Sequence, residues 1–317
     1  MKLFSYICVI DSGEDTRLNG FDDLLQRRLR HLQIAYDQNS RSVWVEFKYQ
    51  NRPCFSRGLL DDLSTVQRFI KQIVRTGYRQ GQSNRLLFQI IASTDRRVFN
   101  LGGDLAYFIR LIGAGNREGL RQYAKSCIDI QYTSVMHYGV PFTTLALVEG
   151  TALGGGFEAA LSANILIAET QARFGFPEVT FGMFPGMGAL SLLIRRINPA
   201  MARRLIMDHR VYTASELYEL GVVDILVQDG QGRKAVTDYM RSNISRVHGL
   251  HGIQAAIDRV IPITYDELND IVELWVDNAL QLSEKNRRLM AYFARAQTKR
   301  FATAESLFNE RNSQLIS

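Results

Sequence analysis

Cysteine is scarce in this chain, with three among 317 residues. Cys8, Cys54 and Cys127 lie far apart and are odd in number, which suits neither a disulfide framework nor a metal-ligand cluster, so we expect buried thiols. The histidines are no better arranged, because His248 and His251 lack the cysteine or acidic neighbours that a zinc site requires. The sequence therefore predicts no metal site and no bound cofactor.

Long apolar runs are also missing. The apolar start at residues 3–10 ends at Asp11; it is too short for a membrane span, has no small-residue cleavage site, and predicts a strand instead. No linker-like segment rich in proline or serine divides the chain. Its length predicts one main domain, and we expect a cytoplasmic protein that does not span a membrane.

Nucleotide and nucleic-acid signatures are absent too. There is no Walker-type phosphate loop, no dinucleotide fingerprint, and no zinc-finger, helix-turn-helix or RNP pattern. The net charge of +6 comes partly from short basic groups such as Arg96 with Arg97 and the segment 195–204. These groups predict either solvated helix faces or a docking patch for an acidic partner or an anionic substrate arm, and nucleic acid is not an expected partner.

Hydrophobic periodicity predicts alternating helices and strands, which indicates an α/β fold. Strands are predicted at residues 43–49, 86–92, 142–148, 165–168 and 222–227, the first of them half-buried. Helices are predicted at residues 21–36, 61–76 with a stop at Gly77, 104–112, 116–137, 187–197, 199–207 and 214–220. From residue 233 onward the pattern is helical, with breaks near Gly249 and Pro262 and one long helix over residues 265–300.

Two glycine turns follow predicted strands and open predicted helices. Gly154, Gly155 and Gly156 lack Cβ atoms, so a substrate can approach their main chain and an N–H at the helix start can face a developing oxyanion. The turn at residues 100–104 occupies the same topological position and can supply a second N–H. Together they predict a backbone oxyanion hole.

Two glutamates near these turns stand among apolar residues. Glu158 is the lone ionisable group in the helix start at residues 157–161, and Glu178 follows twenty residues later. An isolated carboxyl group in such surroundings has a raised pKa, so the pair can divide acid and base roles. The alternative is that Glu158 is a partly buried helix residue and Glu178 a loop cap.

The segments 147–158 and 174–178 resemble the crotonase (enoyl-CoA hydratase/isomerase) superfamily. The resemblance implies an α/β crotonase fold (ClpP/crotonase-like), with repeated ββα units in a spiral core and a C-terminal helical region. It also implies that Glu158 and Glu178 are the acid/base residues and that Gly103 and Gly155 donate the oxyanion-hole hydrogen bonds. Hydratases usually have alanine at the position of Gly103, a departure that costs a backbone donor little.

On this basis we expect an N-terminal strand and helix extension at residues 1–42, a crotonase core at 43–232 and a helical region at 233–317. Within the superfamily the chain most resembles the diffusible signal factor synthases, through the segments 53–56, 98–105, 184–189 and 275–277. The resemblance implies dehydration of a 3-hydroxyacyl chain on acyl carrier protein to the cis-2-enoyl thioester. Hydrolysis then releases a cis-2-unsaturated fatty acid, a quorum-sensing signal.

Two other functions stay open from the sequence. One is an ordinary enoyl-CoA hydratase or isomerase of fatty acid metabolism, with coenzyme A as the carrier. The other is a binding module that sequesters a partner such as a sensor histidine kinase. The resemblance further implies a homo-oligomer, either a trimer or a dimer of trimers. Leu153, Met187 and Trp275 are candidates for the acyl tunnel, although each can equally be core.

Overall fold

Six strands form the main sheet of the computed structural model, which describes residues 29–83 and 85–298. They are β1 Leu32–Asp37, β2 Ser42–Phe47, β3 Phe88–Ser93, β5 Thr143–Val148, β7 Ile165–Glu169 and β10 Ile225–Val227, in the order β1-β2-β3-β5-β7-β10. Only β1 is antiparallel to its neighbour. The predicted strands at 86–92, 142–148 and 165–168 are thereby confirmed, because parallel strands covered on both faces read as continuous apolar runs.

A second, smaller sheet carries the turns of interest. Its strands are β4 Val98–Asn100, β6 Thr151–Leu153, β8 Arg173–Gly175 and β9 Tyr212–Thr213, in that order. The pairs β4/β6 and β6/β8 are parallel, so their carboxyl ends meet at one edge. None of these four strands was predicted, because two or three residues are too few to show a period of two.

The helices follow these strands as the predicted ββα repeat requires. Strands β3 and β4 precede α2 Leu105–Gly113 and α3 Arg117–Val135, and strands β5 and β6 precede α4 Gly155–Leu161. The helix α1 Arg57–Arg79 lies between β2 and β3. It runs past Gly77, so the predicted stop there is wrong; Gly81, with a φ of +62°, follows the helix instead.

The remaining helices are α5 Ala189–Leu193, α6 Pro199–Met207, α7 Ala214–Glu219, α8 Gly232–Asn243, α9 Val247–Val260, α10 Tyr265–Leu280 and α11 Glu284–Thr298. The predicted break near Gly249 is wrong, because α9 continues through it and the chain breaks at the 3-10 turn Ile244–Arg246. The single long helix predicted at 265–300 is also wrong: it divides into α10 and α11 at residues 281–283. Helix α10 packs on α3, and α11 packs on α2.

The N-terminal prediction fails where the structure describes it. Residues 21–36 were predicted to be helical, but Leu32–Asp37 is a strand whose buried Leu32 and Ile34 alternate with the exposed Gln33. This strand pairs with one edge of β2. Strand β2 was predicted to be half-buried, but its residues are mostly buried on both faces. The strand predicted at residues 3–10, and Cys8, lie outside the described residues. No helix in the described chain has the length and apolar character needed to cross a membrane.

Candidate active site

The turn after β4 has its conformation fixed by the chain around it. The fully buried Asn100 accepts a hydrogen bond from Gly102 N–H through Oδ1 at 2.7 Å, and Gly102 O accepts one from Phe55 N–H at 2.8 Å. Gly102 has a φ of +89°, and a Cβ atom there would lie 3.0 Å from Leu153 O and 3.1 Å from Gly155 N. Only glycine lets the two turns approach this closely.

The two amides predicted as oxyanion donors meet at this contact. A Cβ atom built on Gly155 would lie 3.5 Å from Gly103 N, which shows how near the two main-chain segments are. Neither N–H donates to another group in the part of the chain that the structure describes. Gly155 is also the first residue of α4, where N–H groups have no partner within the helix. Both amides are therefore available to one acceptor.

Glycine at position 103 has its own structural reason. A Cβ atom there would lie 2.6 Å from Phe108 Cε2, so alanine would require the ring to move. The Phe108 ring is held edge-on by Tyr123 and by Trp275, with ring centroids 4.8 Å and 5.1 Å away. Hydratases usually have alanine at this position. Here the Phe108 ring occupies the space that an alanine Cβ atom would need.

Glu158 lies in the first turn of α4 with its side chain in the interior. It is 1% exposed, and its Oε1 accepts hydrogen bonds from Met187 N–H at 2.9 Å and Ala189 N–H at 3.0 Å. Burial raises the pKa of this carboxyl to about 7, against the opposing effect of the two N–H donors. Glu158 can therefore exchange a proton near neutral pH.

Glu178 lies in the 3-10 turn Pro177–Phe181, directly against the glycine turn before α4. A Cβ atom on Gly154 would overlap Glu178 Oε1, and Gly154 has a φ of +52°. The residue is partly exposed, yet its Oε2 is buried with no hydrogen-bond partner among the described residues. Burial, followed by the nearby charge of Glu158, raises the pKa of Glu178 to about 8. The two carboxyl groups are thus neighbours that influence each other's protonation.

These raised pKa values predict a pH-dependent stability difference. The carboxyl of Glu178 ionises at about 8 in the folded protein against an ordinary 4.5, so the wild type loses stability as the pH rises between these values. Glu178→Gln has no such loss. Its melting temperature should match the wild type near pH 4 and exceed it increasingly up to about pH 8. Thermal melts across this range measure the difference, and a constant offset would contradict the buried carboxyl.

Most of the predicted site residues line one largely apolar cavity. Glu158, Glu178, Gly103 and Gly155 line it, together with Met187 and Trp275. Leu153 is not among the lining residues. It lies in β6, where its Cδ2 is 3.5 Å from the position of a Cβ on Gly175, so this side chain packs between the strands of the small sheet. The structure thus brings six of the seven predicted site residues together.

Gln297 on α11, which no sequence pattern singled out, holds the oxyanion turn in place. Its Nε2 donates to Leu101 O at 2.9 Å and to Gly103 O at 2.8 Å, and its Oε1 accepts from Leu105 N–H at 3.4 Å. The side chain is 4% exposed. It holds both ends of the Gly102–Gly103 turn from a helix almost two hundred residues away, and no local sequence pattern signals such a contact.

We expect Gln297→Met to lower kcat about tenfold, because the turn that aims the Gly103 amide loses two donors worth about 1 kcal/mol each. KM should change less than kcat, since the cavity wall itself is retained. The exposed Arg295 on the same helix provides the control Arg295→Met. Steady-state kinetics with denaturant melts separate the two effects: equal losses in kcat and in unfolding free energy for both variants would contradict the positioning role.

The basic groups considered for docking are largely matched by carboxylates. Arg96 Nε lies 2.9 Å from Glu149 Oε1, and Arg96 Nη2 lies 3.1 Å from Oε1 of the buried Glu169. Arg97 pairs with Asp95. In the segment 195–204, three of the four guanidinium groups pair with acidic residues: Arg195 with Glu267, Arg196 with Asp224, and Arg204 with Asp208. These ion pairs favour the structural interpretation of the basic groups over a free docking patch.

The sequence is similar to those of known enzymes. Residues 80–249 match the family model described as "Enoyl-CoA hydratase/isomerase". Crotonyl-CoA hydratase from Syntrophomonas wolfei subsp. wolfei is 31% identical over 188 residues, which are 56% of this chain and 69% of that protein. The peroxisomal bifunctional enzyme of Cavia porcellus is 31% identical over 163 residues, 51% of this chain but 21% of that longer protein.

Solved structures share the fold. The structure of Pseudomonas aeruginosa DspI superposes with a TM-score of 0.62 at 21% identity, covering 78% of this chain and 95% of that one. At this identity the likeness is evidence of the fold alone. It confirms the predicted α/β crotonase-type fold with its C-terminal helices.

Proposed function

Since this chain belongs to the enoyl-CoA hydratase/isomerase family, we propose that it is a diffusible signal factor synthase. It would dehydrate a 3-hydroxyacyl thioester on acyl carrier protein to the cis-2-enoyl thioester and hydrolyse that thioester to the free acid. One observation carries the proposal: two carboxyls with raised pKa values line the same cavity as two converging backbone amides. The segments at 98–105, 184–189 and 275–277 support the finer assignment by resemblance.

Dehydration uses every group of the site. One carboxylate takes the proton from C2 of the acyl chain, and the negative charge moves onto the thioester oxygen. The Gly103 and Gly155 amides face that oxygen, and a donor of this kind is typically worth about 3 kcal/mol in the transition state. As the C2–C3 double bond forms, the C3–O bond breaks and the second carboxyl protonates the departing hydroxyl, which leaves as water.

Hydrolysis can proceed at the same oxyanion hole. A carboxylate deprotonates a water that attacks the thioester carbon, the amides stabilise the tetrahedral intermediate, and the carrier thiol leaves with a proton. Cys127 is the cavity's own thiol, but burial and the charge of Glu158 raise its pKa far above the ordinary range. It stays protonated and is unsuited as a nucleophile, which favours direct attack by water.

The second candidate function is hydration or isomerisation of an enoyl-CoA, favoured by the 31% identity to a crotonyl-CoA hydratase. One 3-hydroxyacyl chain assayed on acyl carrier protein and on coenzyme A, with mass spectrometry of the products, separates the two. Free cis-2-unsaturated acid formed mainly from the acyl carrier protein substrate supports the synthase. A trans-2-enoyl-CoA without free acid supports the hydratase, and no conversion on either carrier contradicts both.

Self-association and binding to a sensor histidine kinase stay predictions from the resemblance. An apolar stripe on α9 supports the first: Ile253, Ile257 and Val260 repeat at helical spacing and are 60%, 45% and 79% exposed. Such a stripe favours burial against another protein surface. We infer a homo-oligomer, and sedimentation velocity of the purified protein would contradict it by showing a monomer.

A further inference from the structure

We propose that the acyl chain lies between α1 and α3 and that its length is limited by an end wall made of Gln67, Gln89, Ser134 and Tyr138. The proposal rests on the thioester chemistry above and adds the substrate class: a methyl-terminated acyl chain of medium length.

Two helices lead the cavity away from the oxyanion turns. Phe55 pairs with Gly103 in a β-bridge and immediately precedes Ser56, the N-cap of α1. Tyr123 on α3 lies at the same level, since its hydroxyl donates to Phe55 O and accepts from Asp104 N–H. From this level the lining residues follow both helices turn by turn: Leu60, Leu63, Val66 and Gln67 on α1, and Tyr123, Cys127, Ile130 and Ser134 on α3.

The length of this path sets the size of the chain. From Arg57 to Gln67 the helix advances ten residues, or roughly 15 Å at 1.5 Å per residue. An extended hydrocarbon chain with C–C bonds of about 1.5 Å fills this distance with roughly ten to twelve carbons. The lining residues before Gln67 are apolar on the α1 side, as an acyl chain requires.

The far end of the cavity is polar but its hydrogen bonds are made internally. Gln67 Nε2 donates to Ile130 O at 2.9 Å and to Ser134 Oγ at 3.1 Å, and the Tyr138 hydroxyl donates to Gln89 Oε1. Among the described residues, none of these four side chains has a buried polar atom without a partner. Because these polar groups bond mainly to one another, the wall gives little advantage to a polar chain end, and it serves as a stop for a methyl group.

The backbone beneath the wall is strained. His137 and Tyr138 have φ values of 50° and 59°, a left-handed conformation that residues other than glycine rarely adopt. Arg75 Nε holds the segment by donating to Tyr138 O at 2.8 Å. Through this turn the fully buried Tyr138 reaches Gln89 from behind the cavity, so the surrounding contacts maintain the wall in one position.

The test is the chain-length preference of variants at Gln67. We expect wild-type kcat/KM to rise from 3-hydroxybutanoyl to 3-hydroxydecanoyl thioesters and to fall for 3-hydroxyhexadecanoyl. Gln67→Ala opens the wall and should raise the hexadecanoyl-to-decanoyl ratio about tenfold, the range that pocket space for a few methylenes gives. Because both substrates are measured on one preparation, the ratio does not depend on the folded fraction.

Two controls sharpen the result. Gln67→Met keeps the size of the side chain and should keep the wild-type ratio, and so should Arg68→Ala at the exposed neighbouring position. An unchanged ratio in Gln67→Ala overturns the inference, as does a wild-type preference for a chain that ends in a hydroxyl group. Failure of the thioester chemistry is distinct from both, because the wild type would then convert no chain length at all.

Discussion

Replacing Glu178 with glutamine should lower kcat for 3-hydroxyacyl thioesters by about a thousandfold, and Glu158→Gln should do the same, because each removes a positioned proton donor or acceptor. Glutamine keeps the shape and the hydrogen-bonding capacity of the side chain, and at position 158 it can still accept from Met187 and Ala189 N–H. The loss would therefore report proton transfer rather than packing. Turnover at a pH between the two raised pKa values measures it.

The double variant and a third glutamate complete this test. Since the two carboxyls act on one elimination, the double variant with Glu158→Gln and Glu178→Gln should lose little more kcat than either single variant.

Glu149 is a matched control: it is 3% exposed, burial raises its pKa, and it pairs with Arg96 away from the cavity. Glu149→Gln should retain activity within a few-fold of the wild type. An equally large loss of kcat in Glu149→Gln would show that removing any buried carboxylate lowers the activity.

The second large effect is expected at Gly102, whose substitution by alanine should lower kcat about a hundredfold. A Cβ atom at this position would press on Leu153 O and Gly155 N and separate the two amides, and one lost oxyanion donor costs roughly 10²–10³ in kcat. Substrate affinity should fall less, because the acyl cavity lies along other residues. Comparison of kcat with KM on the purified variant measures the difference.

Gly221→Ala separates geometry from backbone strain. Gly221 has a φ of +78°, close to the +89° of Gly102, but a Cβ atom there meets nothing within 4 Å. Both variants therefore carry the conformational cost of alanine in a left-handed region, and both should lose stability, Gly102→Ala more because of its two close backbone contacts. Only Gly102→Ala should lose activity. A comparable loss of kcat in Gly221→Ala would assign the effect to strain instead of to the two amides.

Sequence patterns predicted the parts of this molecule that repeat or that belong to a motif. The buried strands β3, β5 and β7 appear as apolar runs because both of their faces are buried under packed chain. Glu158 and Glu178 were singled out as isolated carboxyls beside glycine turns, and the family resemblance favoured the acid/base role over the structural alternative. The short strands of the second sheet were missed, although they are what brings the turns after β4 and β6 together.

Contacts between distant segments account for most of the remaining differences. Leu153 adjoins the glycine turn, but its place in the short strand β6 directs it toward Gly175 and out of the cavity wall. Gln297 and the end wall depend on helices that meet only in the folded chain. Tertiary packing also overrides local preference at residues 32–36, where pairing with β2 makes a strand of a segment with helical spacing.

The central claim is that the two glutamates and the two amides together remove a C2 proton from an acyl thioester. Incubating the protein with a 3-hydroxydecanoyl thioester in D₂O tests it directly, with 2-enoyl thioester formation recorded together with deuterium at C2 of the remaining 3-hydroxyacyl thioester, which reprotonation from solvent would introduce. We predict both signals in the wild type and neither in the folded Glu158→Gln, Glu178→Gln double variant. A wild type that gives neither signal, or a double variant that keeps both, would contradict the account.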